Sequence, residues 1–182
     1  MQPVIARAGV LDITAISKAD QILSGAGNPL AVRLNSSNAQ DGRVIAEHLA
    51  RSGAKRIAFL TQNDAYGNGA QAAIEAELKG LNHAYEKAAE ERFPFAQADF
   101  RVALTNVRGA NPDAVVAINA NEGLGMPALI RQARQMRIRG ELVTAVGTIA
   151  PRVIAVAGEP MSRNSCSAPP GACRQSSRPV SS

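Results

Sequence analysis

The sequence predicts an α/β fold in which helices flank an open, mostly parallel sheet. Apolar strands and amphipathic helices alternate about every 25–30 residues, which is the βαβ pattern of a right-handed parallel sheet. Two strands carry this prediction: Arg56–Leu60 follows a helix exit at Gly53, and Ala114–Ile118 is a continuous apolar run. Such runs are typical of strands that helices cover on both faces.

The first part of the chain predicts short elements. Pro3–Ala8 has the pattern of a helix end, Val10–Ile16 that of a strand, and Leu30–Leu34 that of an extended piece. A polar, glycine-containing connection, Ser17–Pro29, joins the strand to the extended piece. A new unit with longer elements begins after Leu34.

In this second unit, Asp41 is predicted to cap a helix that ends at Gly53. A polar turn follows the strand and carries Asn63, Asp64 and Tyr66, before a helix over Ala70–Gly80. Open α/β sheets bind ligands at the carboxyl ends of their strands, so we expect this turn to face a ligand.

The remaining elements follow the same alternation. Phe100, Leu104 and Val107 are predicted to face inward from their helix. In chain order, the sequence predicts a weak strand at Tyr85–Ala89, a helix at Phe100–Arg108, a turn at 111–113, the strand Ala114–Ile118, a helix at Gly123–Met136, a strand at Glu141–Val146 and a short helix at Pro151–Ala157.

Composition excludes some function classes. The 182 residues are 46% hydrophobic but only 3% aromatic, so bases of a nucleic acid would find few rings to stack on. Three of the five net positive charges come from arginines after Glu159, and charges of both signs are interspersed before it. We therefore expect no nucleic-acid partner and no stable membrane insertion.

The beginning of the chain shows no signal peptide, and no apolar stretch is long enough to span a membrane. Taken as written, the chain would stay in the cytoplasm. Residues 160–182 are rich in serine and proline and contain both cysteines, which predicts a disordered tail. A second interpretation is that this tail is a frame-shifted reading of the gene and not native sequence.

Two enzyme interpretations find little support. Gly67, Gly69 and Ala72 fit a dinucleotide-binding pattern, but six residues separate Leu60 from Gly67 where a tight turn is needed. His48 and His83 lack a nucleophile and an orienting acid, and no metal-ligand spacing occurs. We expect no enzyme activity, no cofactor and no metal.

Several blocks occur in the order and spacing of one family. They include 27–29 with Val32-Arg33, 54–58 with 63–67, 99–101, 111–116, 129–134 and 157–159. Together they resemble the type I periplasmic solute-binding proteins, the branched-chain amino-acid receptors of ABC transporters. Such proteins trap a ligand between two α/β lobes that close by hinge motion.

The resemblance implies a division of the chain into three parts. Residues 1–34 correspond to a remnant of the first lobe and its crossover, 35–159 to the second lobe, and 160–182 to the tail. The resemblance also implies that the opening strands of the first lobe are missing, so that half of the cleft remains and Val10–Ile16 is an unpaired strand.

The resemblance further implies a set of ligand-binding residues. The segment Thr14, Ala15, Ile16 and Ser17 would present backbone groups and a hydroxyl to the polar head of the ligand. Tyr66 would reach the cleft from the second lobe, as would Asn119 and Asn121, where the family often has an aromatic residue. The loop with Val146 would supply the last contact.

The family resemblance also implies partners and a location. The full-length form would be periplasmic, bind a small solute and deliver it to a membrane permease. The stretch Thr144–Thr148 lacks the acid with which amino-acid-binding relatives pair the ammonium group, so an amide, a keto acid or an aromatic acid becomes plausible. An alternative is a cytoplasmic small-molecule sensor domain of the same fold.

Overall fold

The computed structural model describes residues 2–24 and 29–144. In chain order the elements are α1 (Gln2–Arg7), β1 (Asp12–Thr14), α2 (Gln21–Ser24), β2 (Ala31–Arg33), α3 (Asn38–Ser52), β3 (Arg56–Gln62), α4 (Ala65–Gly80), β4 (Glu86–Phe93), α5 (Arg101–Ala110), β5 (Ala114–Ile118), α6 (Gly125–Gln135) and β6 (Glu141–Thr144). The predicted helix Pro151–Ala157, Val146 and the predicted tail 160–182 lie outside the described residues.

Four strands form a parallel sheet in the order β4-β3-β5-β6, which confirms the predicted α/β fold. β3 and β5 lie side by side in the middle, with Ile57 opposite Ala114 and Thr61 opposite Ile118. Since both strands run the same way, the loops that follow them emerge next to each other at one edge.

A pair of helices covers each face of this sheet. Alternate residues of β3 enter opposite cores, because successive side chains of a strand point to opposite faces. The core under α3 and α4 contains Ile45, Leu49, Ile57, Phe59, Ile74, Leu78, Val116 and Ile118. The core under α5 and α6 contains Ala58, Leu60, Phe93, Phe100, Leu104, Val107, Ala117 and Leu129.

β1 and β2 form a separate two-stranded parallel sheet, with Ile13 opposite Val32. The prediction of an unpaired strand over Val10–Ile16 is therefore wrong, and the observed strand is shorter. The extended segment after residue 29 is its partner: the Leu34 amide donates to the Thr14 carbonyl over 3.0 Å.

α3 begins before the predicted cap. Ser37 is the N-cap, and its hydroxyl accepts a hydrogen bond from the Gln40 amide while the Gln40 side chain accepts one from the Ser37 amide. The prediction that Asp41 caps the helix is wrong, because this capping box already satisfies the first turn. The helix ends as predicted at Gly53, whose φ of 71° is left-handed.

α4 begins five residues earlier than the predicted Ala70, at Ala65. Asp64 caps it by accepting a hydrogen bond from the Gly67 amide at 2.8 Å. Gly67 packs so closely on the end of β3 that a Cβ there would lie 1.9 Å from the Gln62 carbonyl oxygen. The glycine serves close contact between helix and strand, whereas sequence reasoning assigned it to a turn.

This shorter connection also changes the argument about a dinucleotide site. Only Asn63 and Asp64 separate β3 from α4, so the objection based on a six-residue turn is wrong. Gly67 and Gly69 lie inside α4 and not in a turn that could wrap a phosphate.

The short helix α2 lies inside the predicted connection Ser17–Pro29 and was not predicted, whereas the other elements agree with the predictions apart from their ends. Phe100, Leu104 and Val107 are completely buried, as expected. Asn82, two residues after the end of α4, has a left-handed φ of 52°. β4 runs on to Phe93, so it is a longer edge strand than the sequence predicts.

Candidate functional site

The candidate site is the carboxyl edge of the four-stranded sheet, formed by the loops after β3, β4 and β5. These loops comprise residues 63–64, 94–100 and 119–124. The first turns of α3 and α4 lie beside them, since the Asn38 side-chain amide is 3.4 Å from the Tyr66 carbonyl oxygen.

Tyr66 lies in the first turn of α4 and is half-buried. Its ring packs on the core under α3 and α4. Burial raises the pKa of Tyr66, and the carboxylates of Asp41, Asp64 and Glu122 raise it further. The phenol therefore stays protonated at neutral pH and can both donate and accept a hydrogen bond.

The three carboxylates around Tyr66 differ in their contacts. Asp41 pairs with Lys18, and Asp64 accepts hydrogen bonds from the Gly67 amide and the Gln62 side chain. Glu122 is half-buried in the loop after β5. An acidic group therefore lies near Tyr66, although the stretch Thr144–Thr148 contains none.

Asn119 and Asn121 organise the loop after β5. Asn119 is completely buried, and its Oδ1 accepts a hydrogen bond from the Asn121 amide. Its Nδ2 has no hydrogen-bond partner within the described part of the chain. Asn121 donates to the Phe95 carbonyl and accepts from the Leu124 amide, both at 3.1 Å. Their contacts with a solute stay a prediction.

Gln62 is a site residue that sequence reasoning missed. It is 1% exposed at the end of β3, and its Oε1 accepts a hydrogen bond from the Ala120 amide at 3.0 Å. Its Nε2 donates to the Asp64 carboxylate. The sequence does show an amide side chain at the end of a buried strand. Its role could not be predicted, because its partner Ala120 lies 58 residues away in the sequence.

The segment with Thr14, Ala15 and Ser17 leads directly to Lys18, which contacts the start of α3. The Lys18 carbonyl, directly after Ser17, accepts a hydrogen bond from the Asn38 amide at 2.9 Å. Lys18 Nζ lies 2.5 Å from an Asp41 oxygen, and both side chains are nearly buried. This ion pair, also missed from the sequence, joins the Ser17 segment to α3 near Tyr66.

The histidines have partners away from this edge. His48 Nε2 lies 3.0 Å from a Glu141 oxygen, and His83 Nε2 lies 2.7 Å from the Ala54 carbonyl oxygen. Within residues 2–24 and 29–144, no group of three or more metal-ligating side chains could hold an ion. No helix in these ranges has the length and apolar character needed to cross a membrane.

Comparison with known proteins identifies relatives. The sequence model of a family described as periplasmic binding protein matches residues 1–171. No curated protein matches the chain.

Several solved structures share the fold. A solute-binding protein of an ABC transporter from R. palustris, in complex with benzoate, is 22% identical with a TM-score of 0.77; the match covers 87% of this chain and 42% of that one. The leucine-binding protein LivK from Thermotoga maritima is 22% identical with a TM-score of 0.73, and the match covers 87% of this chain and 44% of that one.

A third similar structure is LivJ from Streptococcus pneumoniae in complex with isoleucine. It is 22% identical with a TM-score of 0.71, and the match covers 84% of this chain and 42% of that one. The chain therefore spans about two fifths of the length of these structures.

Proposed function

The chain belongs to the type I periplasmic binding protein family, and we propose that it forms the second lobe, with part of the first, of a solute-binding protein. The family consists of non-catalytic solute-binding proteins. In its full-length form this protein would be periplasmic and would deliver a small solute to the membrane permease of an ABC importer.

The observation that carries the proposal is the position of Tyr66. Tyr66 lies in the first turn of α4, directly after the loop that follows β3, at the carboxyl edge where open α/β sheets bind ligands. A tyrosine offers a small amphipathic solute an apolar face and one hydrogen-bonding group. The Ser17 segment, joined to α3 through Lys18 and Asp41, would contact the opposite end of the solute.

We infer an amino-acid-like, carboxylate or amide solute. Of the similar structures, LivJ holds isoleucine and the protein from R. palustris holds benzoate. The absence of an acid in Thr144–Thr148 favours an uncharged end, such as that of an aromatic acid. Glu122 is the group that an ammonium-bearing solute would use instead.

The two tyrosines of this tryptophan-free chain provide a direct test. The variant Tyr85→Phe leaves Tyr66 as the sole tyrosine, so its fluorescence reports on the candidate site. Isoleucine, benzoate and benzamide are titrated into this variant, and melting temperature is measured in parallel because a ligand of the native state raises it.

We expect at least one of the three compounds to change Tyr66 fluorescence and raise the melting temperature. The variant Tyr66→Phe should weaken that binding, whereas Tyr85→Phe should not. Binding of isoleucine that Glu122→Gln abolishes would identify an amino-acid site. A chain that unfolds cooperatively and responds to none of the compounds would contradict the proposal.

A further inference from the structure

Hydrogen bonds join the three loops of the candidate site to one another. The Asn63 amide donates to the Phe93 carbonyl at 2.7 Å, which connects the ends of β3 and β4. The Asn121 side chain donates to the Phe95 carbonyl at 3.1 Å, which connects the loops after β5 and β4. Gln62 closes this ring by connecting β3 to the loop after β5.

The Gln62 contact requires a particular chemistry. Its Oε1 accepts from the Ala120 amide, and its Nε2 donates to the Asp64 carboxylate. A carboxylate could not donate to Asp64, and a lysine or arginine could not accept from Ala120. A buried side chain that serves both partners must therefore carry both a donor and an acceptor, as the amide of Gln62 does, and asparagine is one methylene shorter.

The position of Gln62 is fixed by its backbone. Gly67 packs directly against its carbonyl oxygen, and the Asp64 amide donates to the same oxygen at 3.0 Å. Since the end of β3 cannot shift without displacing α4, the side chain holds the loop after β5 at a set distance from Asp64 and Tyr66.

We propose that Gln62 is a positioning residue that sets the spacing between Tyr66 and the loop of Asn121 and Glu122, and so determines which solutes the edge accepts. This inference rests on the proposed solute-binding function. It assigns selectivity to a residue that is 1% exposed and lies beneath the solute contacts.

The test compares Gln62→Met, Gln62→Glu and the control Thr61→Val in the full chain. Thr61 is the adjacent buried residue of β3 and points to the opposite face, where its hydroxyl bonds Gln71 at 2.6 Å. Thr61→Val thus removes a buried hydrogen bond from the same strand end without touching the loops of the site.

Amide hydrogen exchange without any ligand gives the first readout. After correction for global stability, Ala120 should exchange at least about tenfold faster in Gln62→Met than in Thr61→Val, because its acceptor is gone. Gln62→Glu keeps that acceptor but repels Asp64, so Ala120 should stay protected while Gly67 exchanges faster. Equal exchange of Ala120 in Gln62→Met and Thr61→Val would overturn the inference.

Solute selectivity gives the second readout. For any probe among isoleucine, benzoate and benzamide that binds the wild type, Gln62→Met should change the ratio of its affinity to those of the others, whereas Thr61→Val should leave it unchanged. Equal ratios in both variants would overturn the role in selectivity. If the wild type binds none of the probes, the proposed function fails, and the exchange of Ala120 alone decides whether Gln62 positions the loop.

Discussion

Large hydrophobic side chains are mostly exposed in residues 4–34 and mostly buried in residues 35–144. Among the described residues, nine such side chains are exposed in the first region and four in the second, although the second is more than three times as long. Those of the first region are Val4, Val10, Leu11, Ile13, Ile16, Leu23, Leu30, Val32 and Leu34.

The difference follows from the number of strands in each sheet. β1 and β2 have three residues each and cannot enclose a core, and a two-stranded sheet is marginal on its own. The four-stranded sheet is covered by helices on both faces. Stability should therefore reside in residues 35–144, which also carry Tyr66 and Gln62.

Two isoleucines, one in a strand of each sheet, test this comparison. Their substitution should give the largest difference in the free energy of unfolding. Ile118 of β5 is 0% exposed, whereas Ile13 of β1 is 54% exposed. Ile118→Ala should lower the free energy of unfolding by about 2–5 kcal/mol, and Ile13→Ala by less than about 0.5 kcal/mol. Denaturant unfolding measures both, and similar losses would break the comparison.

A pair of glycines in α4 tests the fit of helix to strand. Gly67→Ala places a methyl group against the Gln62 carbonyl and should destabilise the fold by about 1–3 kcal/mol. A Cβ at Gly80 meets nothing within 4 Å, so Gly80→Ala should be neutral or slightly stabilising. Thermal unfolding of both variants checks this, and an unaffected Gly67→Ala would contradict the packing described.

The ion pair between Lys18 and Asp41 joins the two regions, and its coupling energy tests how firmly they are held together. A double-mutant cycle with Lys18→Met and Asp41→Asn should give a coupling energy of about 1 kcal/mol, because both side chains are nearly buried. The exposed pair Arg43–Glu47 within α3 is the reference and should give about 0.3–0.5 kcal/mol. A smaller coupling at the junction than within α3 would mean that the two regions are not held together there.

The smallest effect concerns the exposed edge strand of the stable region. Hydrogen bonds from Lys87 and Arg92 lower the pKa of Glu90 to about 2, so its stabilisation is present above its unfolded pKa of about 4.3 and is lost as pH falls toward 2. Glu90→Gln should cost less than about 1 kcal/mol at pH 7. Its melting temperature should also fall less steeply than that of the wild type between about pH 4.5 and 2. An identical fall of the melting temperature with pH in both proteins would contradict this assignment of the Glu90 pKa.

Local patterns were sufficient to predict most of the second region. The apolar run Ala114–Ile118 and the helix end at the left-handed Gly53 depend on their immediate neighbours, and both predictions are confirmed. The starts of α3 and α4 were predicted incorrectly, since Ser37 and Gly67 owe their roles to a competing cap and to a contact with β3.

The candidate site was less accessible from sequence. Tyr66 could be singled out because it follows a buried strand, but its role in solute binding stays a prediction. Gln62 and the Lys18–Asp41 pair could not be found, because their partners lie far away in the chain. The pairing of β1 with β2 was missed for a different reason, because strands of three residues carry little sequence pattern of their own.

The most direct test of the central claim is a nuclear magnetic resonance titration of the full chain with isoleucine, benzoate and benzamide, following the backbone amides. We expect a bound solute to shift the amides of residues 63–67 and 119–122 along one saturating curve, with smaller shifts at 14–18. Shifts confined to the opposite end of α4, around Ala76 and Lys79, or no shift with any of the three compounds, would contradict it.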